Sequence, residues 1–302
     1  MIALRGGLGT LLATGKKGEK TMQPIVAVIA AGMMGSGIGG RLAQNGIEVR
    51  TSLAGRGEAT CKRAKAAGMK DVSDEEIAAC DFILSIVPPG EAQGLAERLA
   101  PALRASAKRP IYVDCNAVNP ATVLRIARTI EETGTVFVDG GIIGGPPTPG
   151  SKGTRLYVSG PEAARVAELE KYGLEVPVQP GPIGAASAMK MSYAGITKGF
   201  TALGAAMMLA ASRAGTTDAL RAELSSSQPA LHGWLTRQMP RMYSKAYRWV
   251  AEMEEIAGFV GEDPAAAQFF QAAARLYERI AADYEGGRAE CATLDTFCGP
   301  AK

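Results

Sequence analysis

The chain has 302 residues, of which 47% are hydrophobic and 21% charged, and a formal net charge of +3 at pH 7. This composition suits a soluble protein with room for two domains, and no apolar run in the sequence reads as a membrane span. The net +3 belongs to residues 1–21, where Arg5, Lys16, Lys17 and Lys20 face only Glu19, so no basic face for nucleic acid and no membrane partner is expected.

Residues 1–22 are Gly-rich and lack helical periodicity. They read as a disordered tail, with no clear cleavage site for a signal peptide. From residue 23 to about 183 strands and helices alternate. Strands are predicted at 25–29, 47–52, 82–87, 111–115, 136–139, 155–159 and 176–179. Helices are predicted at 35–45, 58–67, 74–79, 91–104, 120–132 and 162–170, the third opening on the capping-box spacing Ser73 to Glu76. Alternating units of this kind give an α/β fold with a mainly parallel, Rossmann-type sheet covered on both faces. After Gly184 the pattern becomes all-α: a long Ala/Met/Leu-rich stretch at 185–214, then helical periods at 217–225, 229–238, 241–257 and 264–283. The expected organisation is a tail (1–22), a nucleotide-binding domain (23–183) and a helical domain for substrate and dimerisation (184–302). The apolar 185–214 stretch is the expected core of a homodimer.

The most informative segment is Val26 to Gly37. A strand passes into the turn Ala30-Ala31-Gly32-Met33-Met34-Gly35 and then into a helix. Gly32 lets the backbone approach a pyrophosphate, Gly35 lets the helix pack on the strand, and the helix N-terminus offers free N–H groups. Ala30 stands where the first glycine of G-x-G-x-x-G belongs. Ala31, Gly32, Met33 and Met34 are therefore candidate cofactor contacts. The second strand ends without the usual acid, and Ser52 and Arg56 follow it. A hydroxyl and a guanidinium suit a 2′-phosphate, which points to NADP over NAD.

Three more strand ends face the same crevice. Val87-Pro88-Pro89 holds the chain extended beside the cofactor. Asn116, in Asp114-Cys115-Asn116, is a candidate for nicotinamide or substrate, and Asn119 caps the helix that Pro120 starts. Asp139-Gly140-Gly141-Ile142-Ile143-Gly144-Gly145 reads as a glycine loop whose N–H groups could cradle a carboxylate or oxyanion, with Ile143, Gly144 and Gly145 as candidate substrate contacts and Asp139 as a structural acid. Lys190 is a cation in an apolar helical stretch, a setting that favours acid–base work, and Tyr193 lies one turn on. The single histidine, His232, reads as a surface or packing residue and argues against a histidine-rich zinc site; no metal is expected. Cys61, Cys80, Cys115, Cys291 and Cys298 form no C-x-x-C pair and read as reduced thiols of a cytoplasmic protein.

Taken in order, the Met33-Met34-Gly35 turn, Val87-Pro88-Pro89, Asp114-x-Asn116, the Asp139 to Gly145 loop with Gly153-Thr154, and Gly184 to Lys190 resemble the β-hydroxyacid dehydrogenases of the 6-phosphogluconate dehydrogenase-like superfamily. The segment Ala246 to Ile256 resembles the poorly characterised C-terminal domain of phosphogluconate-dehydrogenase-like oxidoreductases. The resemblance implies an NAD(P)-dependent dehydrogenase with a dimerising helical domain and Lys190 as catalytic lysine. Three positions depart from the family pattern: Ile143 replaces a serine, Tyr193-Ala194 replaces an Asn-Asn pair, and Glu252-Met253 replaces Lys-Asp. These departures remove contacts to a small hydroxyacid carboxylate. The expected function is NADP-dependent hydride transfer to or from a β-hydroxyacid or related hydroxy compound, with Lys190 as general acid/base and Tyr193 orienting the substrate or relaying the proton. An imine reductase and a non-catalytic NADP-binding sensor or scaffold are the alternatives. Imine reductases commonly replace the lysine that stands here at Lys190.

Overall fold

The computed structural model describes residues 23–299, so the expectation of a disordered tail falls outside the described residues. Seven strands form one sheet: β1 (Ile25–Ile29), β2 (Glu48–Thr51), β3 (Lys70–Asp71), β4 (Phe82–Ser85), β5 (Ile111–Asp114), β6 (Val136–Ile143) and β7 (Arg155–Ser159). Their order is β3-β2-β1-β4-β5-β6-β7, with every pairing parallel except β6 with β7. Helices α1 (Met33–Gln44), α2 (Glu58–Ala66), α3 (Asp74–Ala78), α4 (Ala92–Ala105) and α5 (Pro120–Glu131) connect successive strands, and α6 (Ala163–Val166) follows β7. The rest is helical: α7 (Ala185–Arg213), α8 (Thr217–Ser227), α9 (Pro229–Met242), α10 (Ala246–Phe259), α11 (Pro264–Glu285) and α12 (Ala289–Cys298). The fold is the expected α/β, Rossmann-like sheet followed by a helical region.

Strand alternation explains the layers. Val26, Val28, Leu84, Val113 and Val138 point to one face, where Ile38 and Leu42 of α1 meet them. Ala27, Ile29, Ile83, Tyr112 and Phe137 point to the other, against Leu95 and Leu99 of α4 and Ile126 and Ile130 of α5. Both faces are covered, as parallel sheets require. A third apolar cluster, with Met191, Met239, Met253, Ile256, Tyr277 and Phe297, holds the helices from α7 onward together.

Several boundaries differ from the sequence expectations. β6 runs on to Ile143, because residues Asp139–Ile143 pair with Ser159–Arg155 of β7. Val176–Gln179 is no strand; its only ladder contact is a bridge from Val178 to Val158. The two-residue β3 and helix α12 carry no signal strong enough to predict. The 162–170 helix is split into α6 and a 3₁₀ segment, Ala167–Tyr172. By length and composition α7 is apolar enough to cross a membrane, which corrects the reading that no stretch is; half of that apolar window is buried within the protein.

The turn between β1 and α1 shows which glycine sterics demand. A Cβ at Gly35 would overlap the Ala30 carbonyl oxygen, whereas one at Gly32 would meet nothing within 4 Å. Gly35→Ala is therefore expected to lower stability by about 1–3 kcal/mol through forced backbone movement, with Gly32→Ala close to neutral. Urea denaturation of the two variants checks this contrast.

Candidate active site

The parallel strands bring the carboxyl ends of β1, β4, β5 and β6 to one edge, and the candidate residues gather there. At the end of β1, Gly32 caps α1 without a side-chain hydrogen bond. Ser36 N is the first amide of the helix bonded back to Gly32 O, at 2.8 Å. The N–H groups of Met33, Met34 and Gly35 have no partner among the described residues. Open N–H groups on a helix of twelve residues suit a phosphate diester. Ala31 is buried, Gly32 and Met34 are half-buried, and Met33 is exposed. The residues present thus fit a dinucleotide, which the backbone of Gly32, Met33 and Met34 would hold. Arg63, which sequence reasoning passed over, donates from Nε to Ala31 O at 3.3 Å and so fixes α2 against this turn.

Beyond β2, Ser52 is buried and Arg56 is half-buried. Both Arg56 Nη atoms lie 3.4 Å from Glu91 Oε2, a long pairing across the mouth of the turn. An acid does stand near the end of β2, supplied by the neighbouring strand: Asp71 Oδ1 accepts from Leu53 N at 2.8 Å. It lines an open groove of about 620 Å³ with Ser52, Asp74, Glu75 and Arg98. The acid was invisible as part of this site because it lies 18 residues from Leu53.

At the ends of β4 and β5, Asn116 differs from expectation. Its Oδ1 accepts from Val87 N at 2.7 Å, and its Nδ2 donates to Ser85 Oγ at 2.8 Å and Asp114 Oδ2 at 2.9 Å. Both amide protons are taken and the residue is buried. Asn116 braces two strand ends and holds Val87 in place; it has no N–H left for substrate or nicotinamide. Val87 is itself buried, Pro88 is exposed, and Pro89 opens a 3₁₀ turn ending at Glu91.

The end of β6 positions α7. Asp139 is fully buried and accepts from Gly184 N (3.0 Å), Ser187 N (3.0 Å), Ser187 Oγ (2.6 Å) and Ser159 Oγ (2.9 Å). Ser159 Oγ in turn accepts from Ala186 N at 3.0 Å. These bonds cap α7 from the sheet. Gly141 makes the close approach feasible: a Cβ there would stand 3.0 Å from both Ala186 O and Lys190 Cβ. Lys190 is thereby set beside the end of β6. The glycine loop begins later than expected, since Asp139–Ile143 belong to the ladder. Ile143 ends the strand, and Gly144 turns with φ 114°, where a side chain would strike Gly153. Gly145 O accepts from Thr154 Oγ1 at 2.5 Å. Pro147 then packs on Gly37 of α1, and Arg41 Nη2 holds Thr148 O and Ser151 O at 2.8 and 3.0 Å. Tyr193 is half exposed, in line with Ile196, Phe200, Leu203 and Met207 on the outer face of α7.

Helix α10 closes the crevice from the helical half. Glu255 Oε2 accepts from Asn119 N at 2.7 Å and Thr122 Oγ1 at 3.3 Å, at the start of α5. One turn earlier, Glu252 pairs with Lys198 of α7. Neither contact has a local sequence signal, because the partners lie 136, 133 and 54 residues apart.

Comparison with known proteins agrees with this fold. Residues 25–172 match the model of the NAD binding domain of 6-phosphogluconate dehydrogenase, and residues 211–280 match a domain of unknown function, DUF1932. An uncharacterised 28.5 kDa protein of Methanothermus fervidus is 32% identical over 176 residues, which span 58% of this chain and 66% of that protein. A solved conserved protein of unknown function, described as structurally similar to 3-hydroxyacid dehydrogenases, is 31% identical with a TM-score of 0.63, over 83% of this chain and 98% of its own. A 3-hydroxyisobutyrate dehydrogenase of Mycobacterium tuberculosis, solved with L-serine, shares the fold at 18% identity and a TM-score of 0.66, over 91% of this chain and 99% of its own. The V8 variant of an imine reductase of Myxococcus stipitatus, solved with NAD⁺, shares it at 21% identity and a TM-score of 0.53, over 92% of this chain and all of its own.

A buried acid beneath the site gives it a pH signature. Burial pushes the Asp114 carboxyl from an ordinary 3.8 up to about 7, and the nearby Asp139 adds to the rise while Asn116 opposes it. The folded state therefore holds this proton more tightly than the unfolded chain. Its contribution makes stability fall as pH rises from about 4 to about 7, by roughly 1.4 kcal/mol per unit, and level off above that. Asp114→Asn is expected to flatten this slope in urea midpoints taken across the pH range; an unchanged slope would show that Asp114 does not titrate there.

Proposed function

The chain belongs to the 6-phosphogluconate dehydrogenase-like superfamily of NAD-binding proteins, and from that premise we propose that it is an NADP-dependent oxidoreductase acting on a β-hydroxyacid or a related hydroxy compound. The observation that carries the reading is the juxtaposition along one sheet edge. The open N–H groups of α1 lie at the end of β1, and Lys190 lies at the end of β6, three strands away in the sheet order. Strands spaced by about 4.8 Å put the two roughly 14 Å apart, a span an extended dinucleotide bridges.

A bound nicotinamide supplies or accepts the hydride. In reduction the Lys190 ammonium gives its proton to the carbonyl oxygen as the adjoining carbon takes the hydride; in oxidation the Lys190 amine takes the hydroxyl proton. Asn116 keeps Val87 and the two prolines at the cofactor's edge. Ile143, Gly144 and Gly145 shape the substrate side, and Tyr193 orients the substrate from the rim. A screen of hydroxyacids, amino alcohols and cyclic imines, followed by NADPH absorbance, tests this directly. NADPH binding with no turnover of any of them would favour a non-catalytic NADP-binding role. Lys190→Ala is expected to lower kcat by about 10²–10⁴-fold while NADPH binding, titrated by fluorescence, stays intact.

Cofactor preference rests on Arg56. A 2′-phosphate would replace Glu91 as its partner with two charge-assisted hydrogen bonds. The acids of the groove beside Ser52, Asp71 among them, favour the NAD reading instead. Arg56→Ala decides between them: a loss of roughly ten- to a hundredfold in NADPH affinity with NADH unchanged supports NADP, and equal effects reject it.

The assembly we propose is a homodimer through α7. Ile196, Phe200, Leu203 and Met207 recur at spacings of four, three and four and are all exposed. That is the 3.5-residue period of a helix–helix seam. Sedimentation at micromolar concentration is expected to show a dimer, and a folded monomer there would reject the seam.

A further inference from the structure

Around the mouth of the turn between β1 and α1, one cation is set apart by its partners. Arg50 pairs with Glu48, Arg56 with Glu91 and Lys62 with Glu58. Arg63, half-buried on the second turn of α2, has no acidic partner among the described residues. Its guanidinium holds neutral acceptors instead: Nε donates to Ala31 O at 3.3 Å and Nη2 to Thr60 Oγ1 at 2.9 Å. A charge taken partly out of water without a counter-ion costs solvation that a nearby anion returns. The turn that Arg63 touches is the one whose open N–H groups suit a phosphate.

One peptide links the guanidinium to those N–H groups. The Ala31–Gly32 bond is trans, so its carbonyl and its N–H point in opposite directions. A donor fixed on Ala31 O therefore fixes the direction of the Gly32 N–H, which has no partner among the described residues. A donor on the carbonyl also polarises the peptide and strengthens its N–H, more so when that donor is charged. Ala31 O and Gly32 N are about 2.3 Å apart in any trans peptide, so Arg63 Nε lies within roughly 6 Å of Gly32 N. Gly32 itself points to a ligand. Its φ of −65° and ψ of −173° are open to any residue, and a Cβ there would meet nothing within 4 Å. The fold does not require this glycine, whereas close approach of a phosphate to the backbone does.

We propose that Arg63 is a positioning residue for the cofactor pyrophosphate: through Ala31 O it orients and polarises the Gly32 N–H that receives the phosphate charge. The inference rests on the reading of a dinucleotide at this turn. It is independent of the NADP preference, because NAD and NADP carry the same pyrophosphate. The site then has two cations with separate tasks, Arg56 for a 2′-phosphate and Arg63 for the diphosphate common to both cofactors.

The test is binding to the full chain, with no turnover required. Affinities for ADP-ribose, which lacks a 2′-phosphate, and for NADPH are measured by calorimetry, and stability by urea denaturation. Arg63→Met is expected to weaken both ligands by the same factor, roughly three- to tenfold, and Arg63→Lys to recover most of the loss. A merely structural role lowers the urea midpoint and leaves both affinities unchanged; that result overturns the proposal. A loss confined to NADPH overturns it too, by placing Arg63 on the 2′-phosphate, and so does an Arg63→Lys variant as weak as Arg63→Met. Should Arg63→Met fail to fold, Arg63→Gln decides by the same comparison. Failure of the underlying reading looks different: a wild-type chain that binds neither ligand removes the dinucleotide and the proposal with it, whereas equal losses of NADPH and NADH in Arg56→Ala remove only the NADP preference.

Discussion

One carboxylate ties the sheet to the helices. Asp139 sits at the carboxyl side of the parallel run of β6 and satisfies the first N–H groups of α7, with Ser159 relaying one of them. Helix α7 has Gly184 as its N-cap and no side-chain cap of its own. Its direction is therefore set by the sheet. Lys190 follows a little over one turn later and is pressed to the strand by the absence of a side chain at Gly141. Removing the carboxylate would leave several buried donors unpaired, each costing about 1–3 kcal/mol. The outer apolar seam and the Lys198–Glu252 pair inherit their positions from the same helix.

The two sides of the crevice are fixed by different means. The side proposed for the cofactor offers backbone groups: the uncapped start of α1, and Val87 as held by Asn116. The opposite wall offers side chains carried by α7 and α10, the latter anchored at Glu255. Backbone contacts tolerate sequence change around them. Side chains on helices change character with a single substitution. The two sides of the crevice can therefore change independently.

The nucleotide-binding half was legible because its signals are local. Buried strands of four or five apolar residues, the capping box at Ser73, and Asn119-Pro120 at the start of α5 each announce an element within a few residues. Lys190 was legible as a charge out of place in an apolar helix. What escaped depends on distant partners. β6 extends through Gly140 and Gly141 only because β7 returns beside it. Asn116 looks free in sequence, and only the fold shows that Ser85, Val87 and Asp114 consume its hydrogen-bonding groups. Asp71, Arg63 and the Lys198–Glu252 pair likewise gain meaning from neighbours that lie far along the chain. Helix α12 starts from Arg288 in a left-handed conformation with no side-chain cap, so no start signal precedes it.

The most direct measurement is a crystal structure of the protein with NADP bound. The pyrophosphate is predicted to lie on the amides of Gly32, Met33 and Met34, with nicotinamide C4 roughly 6–7 Å from Lys190 Nζ, leaving room for a substrate carbon in contact with C4 and its oxygen in hydrogen-bond reach of Nζ. A dinucleotide seated away from that turn, or a nicotinamide ring facing away from α7, would contradict the assignment.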